Sequence, residues 1–332
     1  MCASNFLISP LFNFMKIVSR RTVRFKTMQL LYAHRQNNAV ADSTWQSNIV
    51  KSVGQPYWLL LYQLHLVVQV ALYSTEDKQR RLAKRMPSEE DKIFEPVAAQ
   101  NPIVQAIAHY KPFLDLLKKE RLSALPNRDI VVRIYQEWLK TPIYKHYFLA
   151  KEHTSAEHKE VLRVLLLEVM AHDELCLEHL EEHFTNFFDD HDASVFTLRD
   201  VIQYFDIQKP EKSIPLPDVE EHREMLRFAQ ELFEQTVRHD DELNDLISPA
   251  LQQWESERVT VMDLLLMKMA LCEFLYFPSI PVKVTINEYI EVSKRYSSAK
   301  SKDFINGVLD TVRKELQSKG LIKKAGRGML NT

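Results

Sequence analysis

The chain has 332 residues, of which 45% are hydrophobic and 27% charged, and its formal net charge is -2 at pH 7. This length accommodates two domains, or one domain with a large insertion. Only five glycines are present, and three of them lie in the last thirteen residues. Doubly wound and barrel folds need glycine at many strand–helix turns, and no glycine-rich phosphate loop can be built from so few. The composition therefore favours an all-α protein.

The net charge conceals an uneven distribution. Residues 1–41 contain six Lys or Arg and no acid, and residues 294–332 contain ten Lys or Arg against three acids. The rest of the chain carries 27 basic and 42 acidic residues. If the fold brings the two ends together, they form a single basic patch with an acidic body turned away from it.

Cysteine usage and hydropathy indicate the compartment. Cys2, Cys176 and Cys272 are far apart and form neither a disulfide framework nor a paired zinc spacing, which predicts a reducing, cytoplasmic setting. No apolar run is expected to reach the length of a membrane span. The apolar stretch near the start contains Pro10 and lacks the features of a signal peptide. Residues 1–18 are therefore predicted to be a disordered or artefactual extension.

The spacing of apolar residues predicts a succession of helices. The first covers residues 19–37, and a long apolar helix near residues 48–85 has an expected interruption at Pro56. A proline-rich linker at residues 209–218 follows further helical segments at 101–121, 127–149, 157–188 and 197–205. After the linker, helices are predicted at 218–247, 257–277, 285–296 and 301–316. The helix predicted at 257–277 is apolar nearly all round and is expected to be the central buried helix.

The first helix begins with cations and ends with apolar residues. Its first two turns carry Arg20, Arg21, Arg24 and Lys26. Ser19 is a suitable N-cap for this helix. Cations at a helix N-terminus oppose the macrodipole, so helix stability does not explain the cluster, whereas an anionic partner does. The alternative is a solvated basic turn near a chain end.

Three stretches resemble the NusB transcription antitermination family. They are the opening RRTVRFKTMQLLY, the pattern W…ER…D…MALCEFL from Trp254 to Leu275, and IPVKVTINEYIEVSKRYSSAKSKDFINGVLD from Ile280 to Asp310. The helix at 218–247 fits the remaining family helix. The resemblance covers about residues 19–37 and 218–317, so the chain looks like a long form of the family with a large insertion.

The resemblance implies an all-α fold, a NusB-like helical bundle of two small subdomains with a helical insertion. The domain boundaries expected on this basis are an extension at 1–18, the first NusB-like helix at 19–42, a helical insertion at 43–215, the remainder of the NusB-like core at 216–318 and a basic disordered tail at 319–332.

The resemblance also implies a function. It predicts a non-enzymatic, cytoplasmic RNA-binding factor in transcription antitermination, with neither cofactor, metal nor membrane partner. The factor would bind boxA RNA of nascent transcripts together with the small-subunit ribosomal protein NusE, and would reach other Nus factors and RNA polymerase indirectly. The alternative is a protein-interaction scaffold that acts through the insertion and has lost RNA binding.

Residue by residue, the resemblance assigns two RNA-contact regions and one partner-binding region. The predicted RNA-binding residues are Arg20, Arg21, Arg24, Lys26, Lys300, Ser301, Lys302 and Phe304, and the predicted partner-binding residues are Tyr32 and Asp263. The residues themselves agree, because the free N–H groups of a helix starting near Ser301 form an anion site. Phe304 either stacks on an unpaired base or belongs to the core.

One further cluster lies in the insertion. His172, Cys176, His179 and His183 follow a spacing that places them on one face of a continuous helix, and part of this set suits zinc. One straight helix cannot wrap four ligands around an ion, so a polar helix face is the preferred interpretation. No pair of carboxylates and no nucleophile motif forms a recognisable catalytic constellation.

Overall fold

The computed structural model describes residues 18–36, 42–252, 259–296 and 301–329. Within these ranges the chain forms fifteen α-helices and no β-strand, so the all-α prediction is confirmed. In chain order the helices are α1 Arg20–Gln36, α2 Asp42–Leu82, α3 Glu89–Ile93, α4 Pro102–Ala108, α5 Lys111–Lys119, α6 Arg128–Lys140, α7 Pro142–Leu149, α8 Ser155–Val164, α9 Glu174–His183, α10 Phe187–Gln203, α11 Val219–Arg238, α12 Asp240–Leu251, α13 Val261–Tyr276, α14 Val282–Tyr296 and α15 Ser301–Ser318.

The described chain divides into two compact units. The core unit comprises residues 18–53 and 219–329, and the insertion unit comprises residues 54–218. The division after residue 53 lies inside α2, eleven residues beyond the predicted end of the first NusB-like segment. Pro56 does not interrupt this helix. Its ring removes one backbone donor, but the turns that follow bury Leu59, Leu60 and Leu61, which offsets that loss.

Helix α13 is the centre of the core unit. Eleven of its sixteen residues are buried, and it contacts α1, α11, α12, α14 and α15. Thr260 caps its first turn by accepting a hydrogen bond from the Asp263 N–H at 3.0 Å. A helix buried on all sides has no polar face, as its nearly uninterrupted apolar sequence predicted.

One helix of the core unit differs from the predicted pattern. The single helix expected at 218–247 is two helices, because the chain turns at His239. Three acidic residues then occupy the first turn of α12, where the positive end of the helix dipole stabilises them. The apolar periodicity continues across His239, so the sequence pattern did not predict this turn.

The C-terminal segment is ordered by hydrogen bonds through residue 329, in contrast to the predicted disordered tail. The Lys324 Nζ donates to the backbone carbonyls of Glu273 and Phe277, both at 2.9 Å. The Ala325 N–H donates to the Pro278 carbonyl at 3.0 Å. The Glu273 and Phe277 carbonyls also accept from the Phe277 and Ile280 N–H groups, so Lys324 supplies a second donor to each of them. Burial also lowers the pKa of Lys324 to about 8.

The insertion unit consists of shorter helices than the apolar pattern suggested. The segments expected at 101–121, 127–149 and 157–188 are each divided. Capping side chains explain two of these breaks, since Thr141 and Asp173 each accept a hydrogen bond from the backbone of a new first turn. Asn101 caps the start of α4, whereas α5 begins after Tyr110 without a side-chain cap. A cap is a local signal that helical periodicity does not reveal.

Part of α2 meets the length and composition of a membrane span, which corrects the expectation from the sequence. The helix from Thr44 to Leu82 contains a window of 18 residues with a mean hydropathy of 1.2, and 78% of that window is buried inside the protein. Its side chains pack on other helices of the insertion unit. Tyr62 contacts Phe184, and Tyr73 contacts Tyr135, through their rings. These contacts are those of a core helix.

Replacing Asn101 by Ala tests the capping account of the insertion unit. The Asn101 side chain is fully buried, accepts from the Ile103 N–H at 2.9 Å and donates to the His158 carbonyl at 3.0 Å. We expect Asn101→Ala to lower the free energy of unfolding by about 2–3 kcal/mol, because a cap is lost and a carbonyl is left unpaired. The exposed cap Asn127 is the control, and Asn127→Ala should cost about 1 kcal/mol. Equal shifts in urea denaturation would contradict this account.

Candidate nucleic-acid interface

The start of α1 opens into a groove in the core unit. Its volume is about 630 Å³, and its lining residues are Ser19, Arg20, Arg21, Arg24, Ser279, Ile280, Pro281, Val284, Glu288 and Arg327. The groove therefore contains guanidinium groups from both ends of the sequence. The expectation that the two basic ends meet is confirmed here, but through Arg327 of the C-terminal segment, which the sequence analysis did not single out.

Two arginines of the groove form exposed ion pairs. Arg20 donates to Glu224 at 2.7 Å, and Arg21 donates to both carboxylate oxygens of Glu288 at 2.9 and 2.8 Å. The Arg21 hydrogen bond lowers the pKa of Glu288 and, reciprocally, raises that of Arg21. The Arg20–Glu224 pair joins two exposed side chains through one contact and contributes about 0–1 kcal/mol, whereas the Arg21–Glu288 pair is bidentate and the Glu288 side chain is only 19% exposed. An incoming anion therefore competes more readily for Arg20 than for Arg21.

Arg24 is placed differently. Its side chain is only 2% exposed, and it donates to the two carboxylate oxygens of Glu273 at 2.6 and 2.9 Å. Although burial opposes the charge, the Glu273 carboxylate raises the pKa of Arg24 above its ordinary value. Thr285 and Tyr289 also donate to this carboxylate, at 3.0 and 2.9 Å. The prediction that Arg24 contacts RNA directly therefore does not fit its position in this structure.

Lys26 is also buried, with 1% of its surface exposed and its Nζ 5.5 Å from the centroid of the Phe25 ring. The predicted partner of the whole cationic cluster was an external anion, with a solvated basic turn as the alternative. The structure corrects that interpretation for Arg24 and Lys26, because burial keeps them from the surface. The sequence could not show this, since the two residues share a short segment with the exposed Arg20 and Arg21.

The second predicted RNA-contact region lies at the start of α15. Lys300 lies outside the described residues. Ser301 is buried and donates to the Asp263 carboxylate at 3.1 Å, so its hydroxyl is directed inward. Lys302 is exposed and Phe304 is half-buried. Asp263, predicted to bind a partner, is only 1% exposed, and it anchors this helix start instead.

Helix α14 connects the two regions. The Phe25 ring stacks on Tyr296 with a centroid separation of 4.4 Å, and the Arg295 guanidinium lies 5.7 Å from the Phe25 ring. Tyr296 is eight residues beyond Glu288, a rise of about 12 Å along the helix. The chain therefore enters the second region beside α1. Arg295 and Tyr296 were missed, although a basic–aromatic pair immediately before a predicted binding loop is a usable signal.

Tyr32, the other predicted partner-binding residue, is 39% exposed near the far end of α1. It is twelve residues beyond Arg20, a rise of about 18 Å. Its neighbour Leu31 lines a second cavity of about 390 Å³ together with Leu265 of α13 and Asp240 of α12. The exposed phenol and the arginine groove thus occupy opposite ends of one helix.

The histidine cluster of the insertion unit is not one helical face. His172 ends a separate turn, and α9 begins after Asp173. Burial raises the pKa of Cys176 to about 12, which disfavours the thiolate that zinc requires. Among the described residues, His179, Glu182 and His183 have ligand atoms within 4.8 Å of one another. The His179 Nε2, however, already has a hydrogen-bond partner, because the Tyr62 hydroxyl lies 2.6 Å from it.

Comparison with known proteins identifies the C-terminal part of the chain. The NusB family model matches residues 200–314, from the end of α10 into α15. Residues 200–314 are similar to the NusB family over this length. The sequence resemblance of this part is thereby confirmed. The match begins after α1, so it does not test the transfer of family roles to Arg20 and Arg21.

Individual relatives agree with this assignment. The transcription antitermination protein NusB of Chloroherpeton thalassium is 35% identical over 125 residues, which is 38% of this chain and 59% of the relative. The proteins of the same name from Salinibacter ruber and Thermodesulfovibrio yellowstonii are each 38% identical, over 103 and 96 residues. These cover 31% and 29% of this chain and 64% of either relative. The chain thus spans less than two thirds of these relatives, and no solved structure matches it.

The buried pair of Arg24 and Glu273 in the core unit can be tested by substitution. We expect Arg24→Ala to lower the free energy of unfolding by about 3–5 kcal/mol, because the Glu273 carboxylate loses its counter-charge in a buried site. The control Arg20→Ala removes an exposed pair and should cost about 1 kcal/mol or less. Urea denaturation followed by circular dichroism measures both. Similar values for the two variants would show that the Arg24 pair is not structurally required.

Proposed function

We propose that this protein is an RNA-binding transcription antitermination factor that binds boxA-type single-stranded RNA together with the ribosomal protein NusE. The observation that carries the proposal is the groove in which Arg20, Arg21 and Arg327 present guanidinium groups to solvent. The names of the relatives, transcription antitermination protein NusB, support the same role. Other Nus factors and RNA polymerase would be engaged through the resulting complex.

RNA binding in this proposal is an exchange of anions. A phosphate competes with Glu224 for Arg20, which that carboxylate holds through one hydrogen bond, and with Glu288 for Arg21, which is held through two. Arg24 keeps its buried pair and acts as a positioning residue that fixes the start of α1. Release of counterions from the RNA makes the affinity depend on salt.

A second contact is proposed at the start of α15. Lys302 supplies an exposed cation there, and Phe304 is half-buried with part of its ring accessible to a base. Ser301 holds this helix start to Asp263 and is a positioning residue. Arg295 and Tyr296 extend the contact toward α1, where Tyr296 stacks on Phe25. Lys300 remains a proposed contact on the basis of the sequence.

NusE is proposed to bind the opposite end of α1. Tyr32 offers an exposed aromatic ring, a residue type enriched at the centres of protein interfaces. Asp263, the other predicted partner residue, is buried and accepts a hydrogen bond from Ser301 at the start of α15, so it offers no surface to NusE. Separate surfaces at the two ends of one helix allow the protein to hold RNA and NusE at the same time.

The RNA half is tested by the double variant Arg20→Ala/Arg21→Ala in the full chain. Anisotropy of a fluorescent boxA RNA oligonucleotide, measured over a series of salt concentrations, gives the affinity and its salt slope. Loss of two phosphate contacts should weaken binding at least tenfold and reduce the slope by about 1.4, at about 0.7 per contact for a single strand. Arg24 is left intact, because its replacement would confound binding with stability.

The matched control is Lys314→Ala/Lys319→Ala. Both lysines are exposed and paired with carboxylates of α15, Asp310 and Glu315, so the variant removes the same charge from the same unit. Its affinity and salt slope should stay close to those of the wild type. Equal effects of the two double variants would reject the arginine groove as the RNA site. A wild-type protein without RNA affinity would instead favour the interaction-scaffold alternative.

The partner half is tested by Tyr32→Ala. Calorimetric titration with purified NusE should show about tenfold weaker binding, since an exposed aromatic contact is lost, while RNA affinity without NusE stays unchanged. Tyr204→Ala serves as the control, because Tyr204 is 52% exposed and lies in the insertion unit. Unaltered NusE binding by Tyr32→Ala would remove this residue from the interface.

A further inference from the structure

The groove at the start of α1 contains one guanidinium group that differs from the others. Arg20, Arg21 and Arg24 are each paired with a glutamate carboxylate. Arg327 is exposed, and it has no hydrogen bond or ion pair with any residue that the structure describes. The three pairs are close to neutral, so Arg327 supplies the uncompensated positive charge of the groove.

The backbone on both sides of Arg327 is fixed. Ala325 donates to the Pro278 carbonyl, and Gly328 donates in turn to the Ala325 carbonyl at 2.9 Å. Gly328 is buried so closely against the chain that a Cβ at this position would lie 1.9 Å from the Pro278 oxygen. Gly326 has a φ of +56°, which L side chains rarely adopt. The segment therefore holds Arg327 at the edge of the groove.

We propose that Arg327 binds an RNA phosphate in this groove, and that docking of residues 324–328 against the end of α13 places it there. This inference rests on the proposed RNA-binding function and adds a contact from a segment beyond the matched family domain, which ends at residue 314. The contact needs no prior exchange of partners. Arg20 and Arg21 must release a carboxylate before they bind phosphate, whereas Arg327 is already available.

The order in which the arginines contact phosphate follows from the pairing of Arg20 and Arg21 with carboxylates and the lack of such a pair at Arg327 among the described residues. An incoming phosphate meets the unpaired guanidinium first, and its negative charge then competes with Glu288 for Arg21 across the same groove. Arginine suits this position, because its planar fork binds two phosphate oxygens at once. Lysine at position 327 would retain the charge but lose the paired geometry.

The test compares Arg327→Ala with Lys323→Ala in the full chain, by anisotropy of the fluorescent boxA RNA at several salt concentrations. Lys323 is an exposed cation of the same segment, outside the groove lining, so the two variants lose equal charge. We expect Arg327→Ala to bind about tenfold more weakly at low salt and to lose about 0.7 of the salt slope. Lys323→Ala should remain near the wild type.

A third variant tests docking. Gly328→Ala keeps Arg327 but cannot keep the close approach to Pro278, so we expect it to lose as much RNA affinity as Arg327→Ala. Circular dichroism confirms that the helical core remains folded. Wild-type affinity in Gly328→Ala would overturn the role of docking, and equal affinities of Arg327→Ala and Lys323→Ala would overturn the phosphate contact. Absence of RNA binding by the wild type would instead refute the proposed function, and this inference with it.

Discussion

The core unit depends on one buried carboxylate. The Glu273 side chain in α13 accepts hydrogen bonds from Arg24 of α1 and from Thr285 and Tyr289 of α14. Its backbone carbonyl accepts a further hydrogen bond from Lys324. Segments from both ends of the chain thus meet at a single residue. A buried charge is tolerated only when such partners surround it, so the network requires all of these segments to be in place together.

This constraint separates the cations of the groove into different roles. Arg24 satisfies the buried carboxylate and cannot leave it without a large loss of stability. Arg20 is paired with the exposed Glu224 and Arg21 with the half-buried Glu288, and in the proposed function a phosphate competes with these two carboxylates. The buried arginine and the two proposed RNA-binding arginines therefore share one face of α1, and Arg24 lies one turn farther from the helix start than Arg20 and Arg21.

The insertion unit has its own internal connections. The Tyr62 hydroxyl lies 2.6 Å from the His179 Nε2, and the Asn101 side chain links the start of α4 to the His158 carbonyl of α8. The aromatic contacts along the second part of α2 bury its apolar surface within this unit. The helix satisfies the composition of a membrane span because a long core helix needs the same continuous apolar surface.

Much of this could be predicted from the sequence. Scarce glycine and helical periodicity established the all-α class, the apolar run of α13 identified the central helix, and the C-terminal motifs identified the similarity to the NusB family. Broken helices of the insertion were missed because caps such as Thr141 and Asp173 act over one turn, within a pattern that continues past them. The ordered tail was missed because carbonyls at the end of α13 hold it, without any apolar signal.

The sequence by itself determined the local properties of the chain: helix type, apolar faces and the concentration of cations at both ends. Only the tertiary structure decided which cations are available to a ligand. Arg24 and Arg327 have the same side chain, yet one is enclosed with Glu273 and the other faces solvent in the groove. Burial and ion pairing depend on residues distant in the chain, and a linear pattern contains no information about which distant residue will lie beside a given charge.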